Sequence, residues 1–296
     1  MIISVVMPVY NGRKFISEAV KSIRSQVLPA GYQLELVVVD DGSDDGSAAE
    51  ALRADESIVV IRADRVGNVK ARNIAIARAR GQFIAFCDAD DVWEPGKLQA
   101  QMEAFDARST EFAASCCAVR QIDSKGASIR FKGLRWSESD IRRLLVNDFV
   151  MPVPLSGWVV RREVMTQWFT EDLPVAADLE LAVRIAGDHR IHYVAHPLLK
   201  YRLHGGSITA GRIDEQQAVR RYLRASRGGD SVTYSAWKRS YRATMRDKRE
   251  NISARHFRQT GNELAAKRYL RAAWSFLIAS ILDPKETIRK FAAQRA

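Results

Sequence analysis

The sequence predicts an α/β protein with a basic, helical C-terminal extension, and three observations lead there. Ile2 to Val9 and Leu34 to Val39 are continuous β-branched apolar runs closed by polar residues, the pattern of strands buried on both faces of a parallel sheet. Between them Phe15, Ile16, Ala19, Val20, Ile23 and Val27 recur at helical spacing, with Lys14, Glu18, Lys21 and Arg24 on the opposite face, completing a βαβ unit. The signal then repeats. Val59 to Ile61 and Phe83 to Cys87 read as strands, and Val69 to Arg80 as the helix between them, closed by Gly81 as a helix cap.

Further along, Pro95 at a first helical position opens a segment that puts Leu98, Met102 and Phe105 on one face. Ser137 and Asp140 start a capped helix over Ile141, Leu144 and Leu145, with Asp standing where a capping box favours Glu. Strands are expected near Phe112 to Val119 and Gly157 to Val160, and a helix over Asp178 to Ala186 stopped by Gly187. From Gly211 onward the pattern is helical and Arg-rich, with no further strand and no internal repeat. A boundary near Gly205 to Gly211 separates a domain over residues 1–210 from a basic helical region over 211–296.

With 296 residues and 47% apolar content, the chain can bury a full core. Its three cysteines, Cys87, Cys116 and Cys117, are odd in number and two are neighbours, which argues against a disulfide framework and for a reducing compartment. The apolar start has neither the basic flank nor the cleavage site of a signal peptide. The longest apolar run, Ala272 to Leu282, is about half of the ~20 residues a bilayer requires, so no membrane span is expected. The net charge of +11 is uneven: residues 1–200 hold 25 Lys+Arg against 27 Asp+Glu, and residues 201–296 hold 21 against 8. In that tail Arg and Lys interleave with Trp237, Tyr241, Phe257, Tyr269, Trp274 and Phe276, which suits either an anionic membrane surface or packing against the first domain. No nucleic-acid module is visible, so nucleic acid is not an expected partner. The expected location is cytoplasmic, peripheral on the inner face of the cell membrane.

Two acidic clusters fall at the carboxyl ends of strands, where open α/β sheets bind ligands. Asp40-Asp41-Gly42-Ser43 follows the second strand; a carboxylate there can accept from a base N–H or a ribose hydroxyl, and the plainer alternative is an Asp-Gly turn. Asp88-Ala89-Asp90-Asp91 follows the fourth. Three carboxylates within four residues repel one another unless a cation compensates, and Mg²⁺ or Mn²⁺ can do so while bridging to a diphosphate. The alternative is a solvated acidic turn capping the next helix. Neither G-x-G-x-x-G after the first strand nor G-x-x-x-x-G-K-[ST] anywhere is present, which removes support for a dinucleotide site or a phosphate-cradling loop of those kinds.

Together these segments resemble the family 2 glycosyltransferases, inverting enzymes of the GT-A fold. The resemblance covers residues 2–209 and rests on four ordered motifs: Val5-Val6-Met7-Pro8-Val9-Tyr10-Asn11, then Val37-Val38-Val39-Asp40-Asp41-Gly42-Ser43, then Ala71-Arg72-Asn73 with Ala79-Arg80-Gly81, then Phe86-Cys87-Asp88-Ala89-Asp90-Asp91. It implies a Rossmann-like, mostly parallel central sheet flanked by helices, with the nucleotide sugar bound in residues 1–120 and the acceptor and base in 121–210. Pro8, Tyr10, Asp41 and Asp40 are implied to hold the nucleotide, and Arg72 to reach it from its helix. Asp90 is implied to contact a Mn²⁺ or Mg²⁺ cofactor, and Asp88 to hold the nucleotide sugar or the metal.

The same resemblance points to Asp178, after Trp168-Phe169, as the catalytic base, although the family's second acidic residue is Ala177 here. A helix N-terminus favours the ionised form of this carboxylate, while apolar neighbours raise its pKa. Tyr201-Arg202-Leu203-His204-Gly205-Gly206-Ser207 resembles the family's closing loop, which implies Arg202 on the diphosphate and His204 on the metal. His189, His192, His196 and His256 have no comparable context. The implied activity is transfer of a sugar from a UDP-sugar or another nucleotide-diphosphate sugar to the hydroxyl of a saccharide or lipid-linked acceptor, in cell-surface polysaccharide or glycolipid synthesis. Two alternatives share the architecture. A sugar-phosphate nucleotidyltransferase needs a Gly-rich basic loop that Asn11-Gly12-Arg13-Lys14 is too short to form. A degenerate nucleotide-sugar-binding protein is opposed by the filled acidic positions Asp88, Asp90 and Asp178.

Overall fold

The computed structural model describes residues 1–107, 112–148, 150–165, 167–171 and 176–204. The chain divides into two compact units, Met1–Gly211 and Arg212–Ala296, and the second lies outside the described residues, as does the helical extension expected there.

Four strands form the first half of the sheet: β1 (Ile2–Val9), β2 (Gln33–Asp40), β3 (Val59–Arg62) and β4 (Phe83–Phe86). They pair in the order β3-β2-β1-β4, all parallel, and residues Ile3 to Val9 and Phe83 to Phe86 are buried. Burial on both faces is why these strands read as unbroken apolar runs. Helices α1 (Arg13–Arg24), α2 (Ser47–Ala54) and α3 (Asn68–Arg78) make the crossovers, and α1 buries Ile16, Ala19, Val20 and Ile23 as its periodicity predicts.

Beyond β4 the sheet is no longer uniformly parallel. It continues through β8 (Trp158–Arg161), β6 (Phe112–Ile122) and β9 (Arg190–Arg202) to the two-residue β5 (Val92–Trp93). β8 lies antiparallel to both β4 and β6, β6 and β9 are parallel, and β5 is antiparallel to β9. The expected mostly parallel sheet therefore describes its first half, and the whole is mixed. β7 (Ser128–Lys132) branches off as a hairpin partner of β6. Three further α-helices, α4 (Lys97–Ala107), α5 (Glu138–Val146) and α6 (Ala177–Asp188), and two short 3-10 turns, Leu155–Gly157 and Arg162–Val164, complete the described part. The capping box at Ser137 forms with Asp140 in the Glu position.

Two glycines act differently from the sequence reading. Gly187 lies inside α6, which runs on to Asp188. Gly81 stands three residues past the end of α3 and is no helix cap; a Cβ there would sit 2.6 Å from Ser4 Oγ and 2.7 Å from the Ile2 carbonyl. The residue must be Gly because α3 returns to the sheet by passing directly over the backbone of β1. Its N–H donates to Ser4 Oγ, which in turn donates to the buried Glu35 carboxylate.

All three cysteines are buried and free. Close to them lies Lys97, completely buried at the start of α4, where its ammonium donates to Gln101 Oε1 at 2.7 Å and sits 3.9 Å above the Trp93 ring. Burial pulls this lysine down to about 8. Its folded-state pKa is thus below the unfolded value, so burial of the cation costs stability fully below pH 8 and progressively less as pH rises toward 10.5. In pH-dependent urea unfolding, the stability of Lys97→Met relative to the native protein should be greater below pH 8 than above pH 10.5 by roughly 3 kcal/mol. A difference that does not change with pH would show that Lys97 is not desolvated.

Candidate active site

The carboxyl ends of β1 to β4 bring four turns together. The turn after β1 is laced to the one after β2: Asn11 N–H donates to Ser43 Oγ, Gly12 N–H to Ser47 Oγ, and Asp44 N–H to Asn11 Oδ1. Asn11 adopts φ +50°, a left-handed conformation that Asn tolerates better than other non-glycine residues. Asp40 is 1% exposed and accepts from Ser43 N–H, so it shapes the turn from inside. Asp41 accepts from Val66 and Gly67 N–H at 2.6 and 2.9 Å, which draws the turn after β3 inward. As a result Arg65, at φ +53°, lays its guanidinium 4.0 Å from the centre of the exposed Tyr10 ring and donates to its hydroxyl. Tyr10 and Arg65 form a polar-edged aromatic platform of the kind that stacks on a planar base.

The acidic loop after β4 turns its carboxylates in different directions. Asp88 accepts from Arg72 Nη2 at 2.5 Å, and its own N–H donates to Ser156 Oγ. Asp90 faces His204, whose Nε2 lies 2.8 Å from Oδ2. Asp91 is fully buried and accepts from the Arg202 N–H. Burial, reinforced by the charge of Asp88, raises the Asp90 carboxyl, while His204 opposes the shift. Burial, then Asp90 and Asp88, pushes Asp91 well up. These carboxylates strain against a shared negative charge, the situation a divalent cation relieves.

Among the described residues no three His, Cys, Asp or Glu side chains converge to cage a metal by themselves. Asp90 and His204 alone meet, while Asp88 is turned to Arg72. The donor set of one hard carboxylate oxygen and one imidazole fits Mn²⁺ or Mg²⁺ only if phosphate oxygens and water complete the shell.

Arg72 links two parts of the site. It projects from α3, is 7% exposed, pairs with Asp88, and sits 5.7 Å over the Phe169 ring. Its charge also acts on Asp178, in the first turn of α6. Burial raises the Asp178 carboxyl, and the Arg72 charge and the Leu179 N–H partly offset that rise. The segment leading toward Asp178 is pinned from two helices. Asn73 of α3 donates to the Phe169 carbonyl and Glu171 Oε1 at 2.9 and 3.0 Å and accepts from Phe169 N–H at 3.1 Å. From α6, Arg184 donates to the Gln167 and Trp168 carbonyls, both at 2.7 Å, while paired with Glu180. The intervening residues 172–175 lie outside the described set.

The structure thus gathers Tyr10, Asp41, Arg72, Asp88, Asp90 and His204 at one end of the sheet, with Asp178 within the field of Arg72. Pro8 is buried inside β1, and Asp40 beneath its turn. Arg202 is 2% exposed; its guanidinium donates to the Asp90 and Asp123 carbonyls and to Glu18 Oε2, with the Phe15 ring 4.8 Å away. A phosphate contact would require it to exchange one of these partners. Sequence reasoning gave no role to Arg65, Asn73, Ser156 or Arg184. Asn73 stood inside a quoted motif, but its partners lie almost a hundred residues away. His192 packs on Phe112 and lies 3.3 Å from Ser115 Oγ, away from these turns, and His256 lies outside the described residues.

Comparison with known proteins gives a consistent answer. The sequence matches the family model for glycosyl transferase family 2 over residues 4–168. An uncharacterized glycosyltransferase of Nostoc is 32% identical over 235 residues, 74% of this chain and 70% of that protein. TuaG of Bacillus subtilis, a glycosyltransferase named for teichuronic acid biosynthesis, is 38% identical over 38% of this chain. WfgD of Escherichia coli, a UDP-Glc:α-D-GlcNAc-diphosphoundecaprenol β-1,3-glucosyltransferase, is 35% identical over 34%. The matches span only 45% and 40% of those two proteins. Among solved structures, S. aureus TarS with UDP-GlcNAc superposes with TM-score 0.61 at 18% identity, over 83% of this chain and 72% of that one. Mannosyltransferase PcManGT of Pyrobaculum calidifontis, solved with GDP-Man and Mn²⁺, gives 0.57 at 19% identity, over 96% and 92%. With its parallel first half, mixed second half and acidic loop after β4, the chain has the GT-A transferase fold and belongs to glycosyl transferase family 2.

Proposed function

We propose that the chain transfers a sugar, with inversion, from a nucleotide-diphosphate sugar to the hydroxyl of a lipid-linked saccharide during synthesis of a cell-surface polysaccharide. The observation that carries this reading is Arg72, one buried cation paired to Asp88 and acting on Asp178. A donor carboxylate and a candidate base under a single charge is an arrangement for moving a group between two bound molecules. WfgD, with its UDP-glucose donor and diphosphoundecaprenol acceptor, and TarS, solved with UDP-GlcNAc, favour a UDP-sugar and a lipid-linked acceptor. The Mn²⁺ in PcManGT favours a divalent cofactor.

In this reading the base stacks on Tyr10 beside Arg65, and Asp41 offers a carboxylate oxygen to its edge. Asp90 and His204 would hold the cation, which would draw charge from the leaving diphosphate. Asp178 takes the proton from the acceptor hydroxyl as that oxygen bonds to the anomeric carbon. The carbon–oxygen bond to the diphosphate breaks on the opposite face, and the nucleoside diphosphate leaves with the electron pair. Phe86, Trp168 and Phe169 pack edge to face near Arg72 and cover its guanidinium, while the Asp88 carboxylate stays open to the site. Asn73 and Arg184 fix the approach to the base.

Three variants test this reading. Asp90→Asn should weaken UDP binding by about tenfold or more in calorimetry with Mn²⁺, and leave binding in EDTA unchanged; equal affinities with Mn²⁺ would remove Asp90 from the cation site. Asp178→Asn should retain UDP affinity and lose transfer by about 10²–10⁴-fold. Because the Asp178 carboxyl is raised, the acid limb of the native rate profile should lie above the ordinary carboxylate range, with rate falling as pH drops and the base protonates. An Asn variant with native turnover would exclude this base. Asn73→Ala should lower kcat by about tenfold to a hundredfold with UDP affinity changed less than about twofold, the pattern of lost positioning; a loss confined to donor binding would assign Asn73 to the donor side.

A further inference from the structure

The β6–β7 hairpin is the part of the described surface that the transferase reading leaves unused. From residue 125 to 131 every side chain is exposed, as are Leu134 and Arg135. Ile129, Phe131 and Leu134 are 52%, 47% and 45% exposed, unusual for large apolar residues placed close together. β7 pairs with β6 on one edge, and its other edge carries no partner strand among the described residues. Charge sets this surface apart as well. Residues 120–135 contain Arg120, Lys125, Arg130, Lys132 and Arg135 against the single acid Asp123, whereas the rest of the first 200 residues carries 20 Lys+Arg against 26 Asp+Glu. Arg120 lies 5.2 Å from the centre of the Phe131 ring on one side of β7, and Arg130 and Lys132, which alternate with Ile129 and Phe131, lie on the other, so cations flank the apolar groups on both sides of the hairpin.

The hairpin is also tied to the candidate site. Leu203, 37% exposed, donates its N–H to the Ile122 carbonyl at the hairpin base. The next residue, His204, meets Asp90. Arg202 reaches the Asp123 carbonyl in the same turn. A surface seated on this hairpin would therefore lie beside the opening to the acidic loop.

We propose that the β6–β7 hairpin docks on an anionic lipid bilayer, with Ile129, Phe131 and Leu134 entering the interface and Lys125, Arg130 and Arg135 facing the headgroups. Interleaved apolar and cationic side chains are what an anionic interface selects, since apolar burial and electrostatic attraction act together there. The functional part of the inference rests on the lipid-linked acceptor proposed above: docking here brings the membrane face, and an acceptor anchored in it, to the side of the site bearing His204.

The test is co-sedimentation of the full chain with vesicles of phosphatidylcholine containing about one third phosphatidylglycerol, compared with phosphatidylcholine alone. The native protein should bind the anionic vesicles and not the neutral ones. Lys125→Glu/Arg130→Glu should lower the partition coefficient by at least about fivefold for each position, and Ile129→Ser/Phe131→Ser should lower it at unchanged charge. Calorimetry with UDP and Mn²⁺ on the same samples reports folding and nucleotide binding separately from the vesicle result. Native-like vesicle binding by both double variants, or no binding by the native chain, overturns the docking surface. If vesicle binding follows the prediction but no nucleoside diphosphate binds the native chain, the docking surface stands and the transferase reading falls.

Discussion

The rest of the site depends on a concentration of negative charge that the fold would otherwise reject. Asp88, Asp90 and Asp91 follow one buried strand, with Asp178 nearby, and burial drives the carboxyls of Asp90, Asp91 and Asp178 toward their neutral forms. The structure keeps them together by giving each a different compensator. Arg72 takes Asp88, His204 faces Asp90, and Asp91 receives a backbone N–H from a strand more than a hundred residues away. Arg202 closes the loop from behind, binding the Asp90 carbonyl while Glu18 of α1 balances its charge. The result is a loop whose shape is fixed but whose charge is only partly neutralised.

That loop is only as well placed as the strands beneath it. β4 is held in register against β1 from Ile3 to Val6, and the chain reaches β4 over Gly81, where the close approach to β1 leaves no room for a side chain. Ser4, Glu35 and Arg80 form a hydrogen-bonded knot at that crossing, at the opposite end of the sheet from the acidic loop. Polar groups buried at the amino ends of the strands thus help set where the carboxyl ends, and the turns on them, emerge.

The first half of the fold could be read from the sequence because its determinants are local. A strand buried on both faces needs an unbroken apolar run, a crossover helix needs one apolar stripe, and both are visible within a dozen residues of Ile3 or Ala19. The second half could not be read this way. β9 carries Arg190, His192, His196 and Lys200 along its length, and its pairing with β6 is interrupted by irregularities, so it shows neither an apolar run nor a clean alternation. β5 is two residues long and exists through its pairing with β9. The same division runs through the site. Asp41, Arg72, Asp88 and Asp90 stand in contiguous motifs, whereas Arg65 becomes notable only once Asp41 folds its turn over Tyr10. Asn73 and Arg184 are ordinary helix residues until the chain between the two helices returns to them.

The double pinning of residues 167–171 bears on how such a chain diversifies. Asn73 and Arg184 grip mainly backbone groups, and they do so from helices whose own placement is fixed by the sheet and by the acidic site. Because the grip is mainly on backbone, side chains within the pinned stretch can change identity while its path is kept. A lineage can therefore drift in sequence along this stretch while the path of its backbone, set from the two helices, stays intact.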